Sequence, residues 1–222
     1  MDQSIVKPLS VFDSYLLGQP NKKREPNVVY VTDLTKGCML QAYLDIVEPK
    51  PYEVSALRIF EAGRAIEDLW VRVLEKSPGF SVVNTQLMAR WNAPWGSIHG
   101  RVDALVQHSG GSLVVHEVKS IKSLAFMNGR PKPEHEAQCQ FYLGALNVEF
   151  GQIDYISKEN LLQGLGQVEQ CYPLRRDPAA FAALVHRGEE LAGYLARGEC
   201  PPATVNWACN GYCNQKGARC SG

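Results

Sequence analysis

The sequence has no surplus of charge, since 23 Lys and Arg balance 23 Asp and Glu. That total announces no nucleic-acid partner, so any such contact must rest on local cationic patches. Long apolar runs are also missing, and no segment reads as a membrane span. The first residues lack the charged start and apolar centre of a secretory signal, which gives the expectation of a cytoplasmic protein. Internal repeats and low-complexity tracts are absent as well. Cysteine is not scarce, but seven is an odd number, and a reducing compartment argues against a disulfide framework. Three of the seven, Cys209, Cys213 and Cys220, fall in the last fourteen residues with the spacing of a metal or cluster site. With 222 residues, 45% of them hydrophobic and 21% charged, the chain has the composition of an ordinary globular protein holding one good-sized domain.

The most informative stretch runs from residue 99 to residue 142. Two apolar runs, 100–106 and 113–118, flank Ser109-Gly110-Gly111, the composition of a β-hairpin closed by a short glycine loop. If those three residues form the loop, Asp103 faces Glu117. Paired residues share a side of the sheet with Cβ atoms roughly 4.5 to 5.5 Å apart, and the period of two adds Lys119 to that side. Two carboxylates so placed repel, and a divalent cation between them would offset the repulsion. A two-residue turn would shift the pairing by one and make the acids diagonal neighbours. A wet surface hairpin fits less well, because both acids sit inside apolar runs.

Residues 1–27 mix polar residues and prolines with Lys22-Lys23-Arg24 and read as a flexible arm; residues 28–222 read as a single domain. After a short apolar run at 28–31, Thr32 or Asp33 can cap a helix through Leu34, Cys38, Leu40 and Tyr43, which puts Cys38 inside it. A long helix over about 54–76 has an apolar stripe at Ile59, Phe60, Ile66, Trp70, Val73 and Leu74, with Gly63. Glu67 lies on the same stripe. Because uncompensated burial of a carboxylate is costly, a metal partner accounts for it better than a tolerated edge position. Residues 80–91 read as a strand. Loop 121–133 carries Lys122, Arg130 and Lys132 beside Phe126 and Met127, either as a solvated connection or as a phosphate-contacting loop. The next helix, 134–147, has Gln138 and Tyr142 on one face. Two strands, 150–158 and 167–174, are joined by Gly164-Leu165-Gly166 as a hairpin turn, and a last helix is capped by Asp177, begins at Pro178 and ends at Gly198. Cys139 and Cys171 read as small core residues, and Cys200, before Pro201-Pro202, is not read as a ligand.

Helix, three strands, helix and strand, carrying Asp103, Glu117-Val118-Lys119 and Gln138-Cys139-Gln140-Phe141-Tyr142, resemble the PD-(D/E)XK nuclease core of the RecB type, including its Q-x-x-x-Y motif. With one cysteine upstream and three downstream, the chain is further similar to the iron-sulfur exonucleases of CRISPR-associated family four and to the AddB nuclease domain, over about residues 31–220. The resemblance implies a mixed α/β, restriction-endonuclease-like core at about 54–174. It implies a deoxyribonuclease that needs Mg or Mn and acts as an exonuclease, with single-stranded DNA ends as substrate. Asp103, Glu117 and the carbonyl of Val118 would bind the metal, and Lys119 would position the attacking water and stabilise charge on the phosphorane. Gln138 and Tyr142 would shape the site and hold the nucleic acid near it.

Two departures from the family stand out. Where members carry G-x-x-x-H, this chain reads Gly63-Arg64-Ala65-Ile66-Glu67, so the ligand becomes the carboxylate of Glu67. The arginine that usually follows the upstream cysteine is absent from Cys38-Met39-Leu40. By the family pattern Cys38, Cys209, Cys213 and Cys220 hold a 4Fe-4S cluster that clips residues 32–48 to 199–222. Four cysteines suit zinc equally well as ligands, and it is the resemblance that favours iron-sulfur. A rival reading is a DNA-end-binding or processing subunit of a CRISPR adaptation or phage recombination complex, partnered by integrase or recombination proteins. The complete Asp103, Glu117 and Lys119 set favours an enzyme.

Overall fold

The computed structural model describes residues 10–19, 24–164, 166–206, 209 and 213. Short, β-branched apolar runs form the strands of one mixed sheet, and the longer 3.6-periodic stretches form helices packed on it. The fold is mixed α/β, as expected. Strand β1 (Val28–Tyr30) leads into α2 (Val31–Leu34) and α3 (Met39–Val47), preceded by α1 (Val11–Leu17). The long α4 (Val54–Lys76) is followed by β2 (Phe80–Ala93), β3 (Gly96–His108) and β4 (Leu113–Ile121). After a single 3-10 turn at Leu124–Phe126 come α5 (Pro133–Leu146), β5 (Phe150–Ser157), α6 (Lys158–Gln163), β6 (Glu169–Arg175) and α7 (Pro178–Arg197). No helix among the described residues is long and apolar enough to cross a membrane.

The way the sheet uses β3 positions everything that follows. Strand β2 runs antiparallel along one edge of β3, from Phe80 opposite His108 to Ala93 opposite Gly96. On the other edge, β1 pairs in parallel with Ser97, Ile98 and His99, while β4 pairs antiparallel with Ala104 through Gln107. Among the described residues, 100–103 therefore have no strand beside them on that edge, and the sheet forks there. Gly100 is the residue that lets the fork be filled: a Cβ at that position would collide with the Tyr142 ring from α5 and sit 2.8 Å from Val31. Opposite Asp103, Gln86 of β2 adopts a left-handed φ of 53°, a second local break in regular pairing.

Several elements differ from expectation. Within the stretch expected to be a flexible arm, α1 forms and is held to α4 by Arg58, whose Nε donates to the buried Asp13 carboxylate at 2.7 Å. The expected helix through Cys38 is two helices. Asp33 accepts the Tyr30 N–H at 3.1 Å and two N–H groups of Arg24, which caps α2, and Cys38 is the N-cap of α3 rather than an interior residue. The break lies at Gly37, which packs so closely on Asn206 that a Cβ would be 2.8 Å from its side-chain amide. Between β5 and β6 the connection holds α6, with Gly164 as its left-handed C-cap at φ 67°; Leu165 lies outside the described residues. On α4 only Leu74 is fully buried. Trp70 and Val71 join it against Ala104, Val106 and Val82, while Ile59 and Phe60 stay exposed. Cys139 is core as expected, but Cys171 is exposed on the edge strand β6.

Candidate active site

The hairpin register is the one that the three-residue loop predicts: Ala104 lies opposite His116 and Gln107 opposite Leu113. The next pair would be Asp103 with Glu117, and here the strands part. In place of a ladder bond, the Asp103 carboxylate accepts the N–H of Val118 at 2.8 Å, so a side chain closes the mouth of the fork. Beyond it, β4 leaves β3 and continues in parallel with β5, pairing Glu117 with Ile153 and Lys119 with Tyr155.

This geometry seals the acids in. Asp103 is 9% exposed and Glu117 1%. One oxygen of Glu117 contacts the Lys119 ammonium; the other, Oε2, is buried with no hydrogen-bond partner. Burial, and then the Asp103 charge, push the Glu117 carboxyl up to about 8. Burial also raises Asp103, against the pull of Lys119 and the Val118 N–H. For Lys119, burial works against the cation, yet the charges of Glu117, Asp103 and Glu67 outweigh it and hold the amine protonated. Glu67, half-buried on α4, is raised by burial and then by Asp103, which places it within electrostatic reach of the pair. The orphaned Glu117 oxygen and three carboxyls pushed toward neutrality are what a hard cation with oxygen ligands would correct. Among the described residues no group of three or more His, Cys, Asp or Glu side chains stands close enough to hold a metal ion as it is. The set fits a divalent cation in charge and donor type.

Gln138 and Tyr142 are both buried, and Gln138 Nε2 donates to the Tyr142 hydroxyl at 2.7 Å. They form the wall behind the acids rather than an open surface. Lys122, Arg130 and Lys132 are exposed on the connection between β4 and α5, and Phe126 is 68% exposed beside them. Two residues that the sequence reading passed over belong to this site. Tyr155, the ladder partner of Lys119, hydrogen-bonds His135 Nδ1 at 2.8 Å and the Lys132 N–H at 2.9 Å. The available signal was His135 three residues before Gln138, hence on its helix face. His116, adjacent to Glu117 and therefore on the other side of β4, bonds the buried Asp154 at 2.7 Å and the half-buried His108 at 3.1 Å in a separate chain.

Of the four cysteines read as cluster ligands, Cys38 is buried, Cys209 and Cys213 are half-buried, and Cys220 lies outside the described residues. The tail does return to the N-terminal helices: Thr204 N–H points to Cys38 Sγ at 3.4 Å, and Arg187 of α7 donates to the Lys36 carbonyl at 2.6 Å. A backbone N–H also faces Cys209 Sγ, from Asn206 at 3.5 Å.

No known protein-family pattern matches the chain. It is 26% identical over 145 residues to the CRISPR-associated exonuclease Cas4 of Saccharolobus solfataricus, a match covering 63% of this chain and 68% of that protein. The fold matches the crystal structure of SSO0001 with a TM-score of 0.66 at 22% identity, over 95% of this chain and 92% of that one. It also matches LHK-Exo in complex with dAMP, with a TM-score of 0.55 at 18% identity over 77% of this chain and 92% of that one. LHK-Exo is an alkaline exonuclease from Laribacter hongkongensis. Sequence and fold agree: the chain is similar to the exonuclease Cas4 over 63% of its length and shares the fold of SSO0001 and of LHK-Exo.

Proposed function

We propose that this protein is a metal-dependent DNA exonuclease that attacks single-stranded ends. The observation that carries the reading is the fork in the sheet, where Asp103, Glu117 and Lys119 converge with one buried carboxylate oxygen unpaired. The names of the similar proteins, exonucleases among them, point the same way. Mg or Mn would be held by Asp103, Glu117, the Val118 carbonyl and Glu67, and when bound would neutralise phosphate charge and supply an acidified water. Lys119 keeps its proton beside three carboxyls. It is thereby set to orient the attacking water and to stabilise the charge that builds on phosphorus. Gln138 and Tyr142 brace the site from within the core, and Lys122, Arg130 and Lys132 give the strand a narrow cationic approach.

The cysteine end is read as a 4Fe-4S site of Cys38, Cys209, Cys213 and Cys220. Support comes from the return of the tail to Cys38 and from backbone N–H groups aimed at two of the sulfurs, the donors that thiolate ligands require. Its role is structural, since it joins ends far apart in sequence while the acids carry the chemistry. The direct test is digestion of end-labelled single strands with Mg or Mn by wild type and Lys119→Ala. Cleavage lost in the variant supports the enzyme; DNA binding without cleavage by wild type points to an end-binding subunit instead.

A further inference from the structure

We propose that the Nε2–H of His135 is a neutral hydrogen-bond donor to a phosphate oxygen of the substrate strand, set beside Lys119 by Tyr155. The proposal rests on the nuclease reading and adds to it a group that binds the strand. It starts from the ladder. Lys119 and Tyr155 are direct partners across β4 and β5, so their side chains share a face, and the Tyr155 hydroxyl reaches from there to the first turn of α5.

The hydrogen bonds fix the histidine's proton. Tyr155 Oη accepts the Lys132 backbone N–H at 2.9 Å and has one proton of its own. Burial holds that phenol protonated, with its pKa raised to about 12, and His135 Nδ1 at 2.8 Å is where the proton can go. Were Nδ1 the donor instead, the proton of a fully buried tyrosine would have no acceptor among the described residues. With Nδ1 accepting, a neutral ring carries its hydrogen on Nε2. Burial, then the Lys119 and Lys132 charges, push His135 down to about 3, so the ring is neutral across the working range. Among the described residues nothing accepts from Nε2, and the nitrogen is not sealed off, since His135 is only half-buried.

A neutral donor suits this position for an electrostatic reason. A cation here would stand against Lys119 and Lys132, the two charges that act on this ring. An N–H without charge is worth most to an anionic oxygen arriving from outside, which in a nuclease is phosphate. It also has a thermodynamic signature: phosphate contacts by lysine release counterions and steepen the salt dependence, whereas a neutral donor does not.

The test is binding of a fluorescent single-stranded oligonucleotide to the full chain in Ca without Mg or Mn, across a salt series, with thermal midpoints recorded alongside. His135→Leu is expected to weaken binding about tenfold with the salt slope and midpoint unchanged. His135→Gln, which keeps a neutral N–H, should stay within about threefold of wild type. Lys132→Ala should instead lower the slope by about 0.7. Binding by His135→Leu equal to wild type would overturn the proposal while leaving the nuclease reading intact. Equal losses in the Leu and Gln variants with a lowered midpoint would also overturn it, because that is the pattern of a structural anchor. A wild type that binds no oligonucleotide and cleaves none would overturn the nuclease reading and this proposal together.

Discussion

Glu117 is a glutamate with both oxygens inside the protein, one on an ammonium and the other on nothing, and its titration should be visible in the stability of the whole protein. In the folded chain its pKa is pushed up to about 8, against 4.5 for an ordinary glutamate. Between those values the folded state binds more protons than the unfolded one, so this contribution is fully present below the lower value and is lost as pH rises through the upper. Asp103 and Glu67, both raised, act with the same sign. Asp13, Glu149 and Asp154 are lowered, and their stabilisation is lost only in acid, a separate window. His99, His108 and His135 are lowered by burial and act with the opposite sign below about pH 6.5, so the metal-free protein is expected to lose on the order of 1 kcal/mol between about pH 7 and about pH 9. Glu117→Gln should flatten that slope, and Mg or Mn should restore stability most at the alkaline end, all readable by thermal denaturation. A midpoint independent of pH in wild type would show that Glu117 is ionised throughout. Glu67 gives a second expectation: Glu67→Gln should cut metal-dependent cleavage by about tenfold or more while oligonucleotide binding and the midpoint hold. Unchanged cleavage would return Glu67 to an edge residue of α4.

Helices α5 and α7 pack where Gly144 meets Phe181, so closely that a Cβ on Gly144 would overlap the ring. Gly144→Ala gains helix propensity but must displace Phe181, which itself packs edge-to-face with Trp91 and at a tilt against Phe141. A net loss of about 1–3 kcal/mol is expected in chemical denaturation; an increase in stability would show that the ring moves freely. This contact illustrates which elements could be read in advance. The β3–β4 register follows from local facts, a glycine loop and two apolar runs, and so do α4 with its 3.6-periodic stripe, α5 with its proline start and α7 with its proline start and glycine stop. What escaped reading depends on residues far apart in sequence. The break before α3 lies at Gly37, against which Asn206 packs, and α1 is secured by Arg58 across 45 residues. The fork was half legible: pairing predicted that Asp103 and Glu117 converge, but not that β3 changes partner there. His135 was missed because its meaning comes from Tyr155, a residue of a strand not yet formed when the helix face is read.

At the scale of the molecule, the return of the tail to Cys38 and the zero net charge set what the protein can hold. If the cysteines bind iron and sulfide, protein purified without oxygen should be brown, and Cys38→Ser, Cys209→Ser, Cys213→Ser or Cys220→Ser should each bleach and destabilise it. Cys171→Ser, at the exposed sheet edge, should keep the colour. Zinc without iron in anaerobic protein would replace the cluster with a zinc site of the same residues. The charge balance bears on substrate. The fork carries three carboxyls, so phosphates are repelled unless metal and nearby cations offset that field. The exposed cations of the β4–α5 connection, Lys122, Arg130 and Lys132, form a strip, not a basic face, and Arg101 and Arg64 add charge near Asp103 and Glu67. Such a strip has little with which to grip a long duplex, but one strand drawn past it needs few contacts, and the exposed Phe126 ring offers a stacking surface for an unpaired base. Entry from an end is then easier than engagement of an internal phosphate, because an end brings only one flanking strand into the carboxylate field. Linear single strands are expected to be digested progressively and a covalently closed single-stranded circle to resist. Rapid cutting of the circle, absent in a parallel Lys119→Ala preparation, would show that internal phosphates reach the fork unaided and would end the threading model.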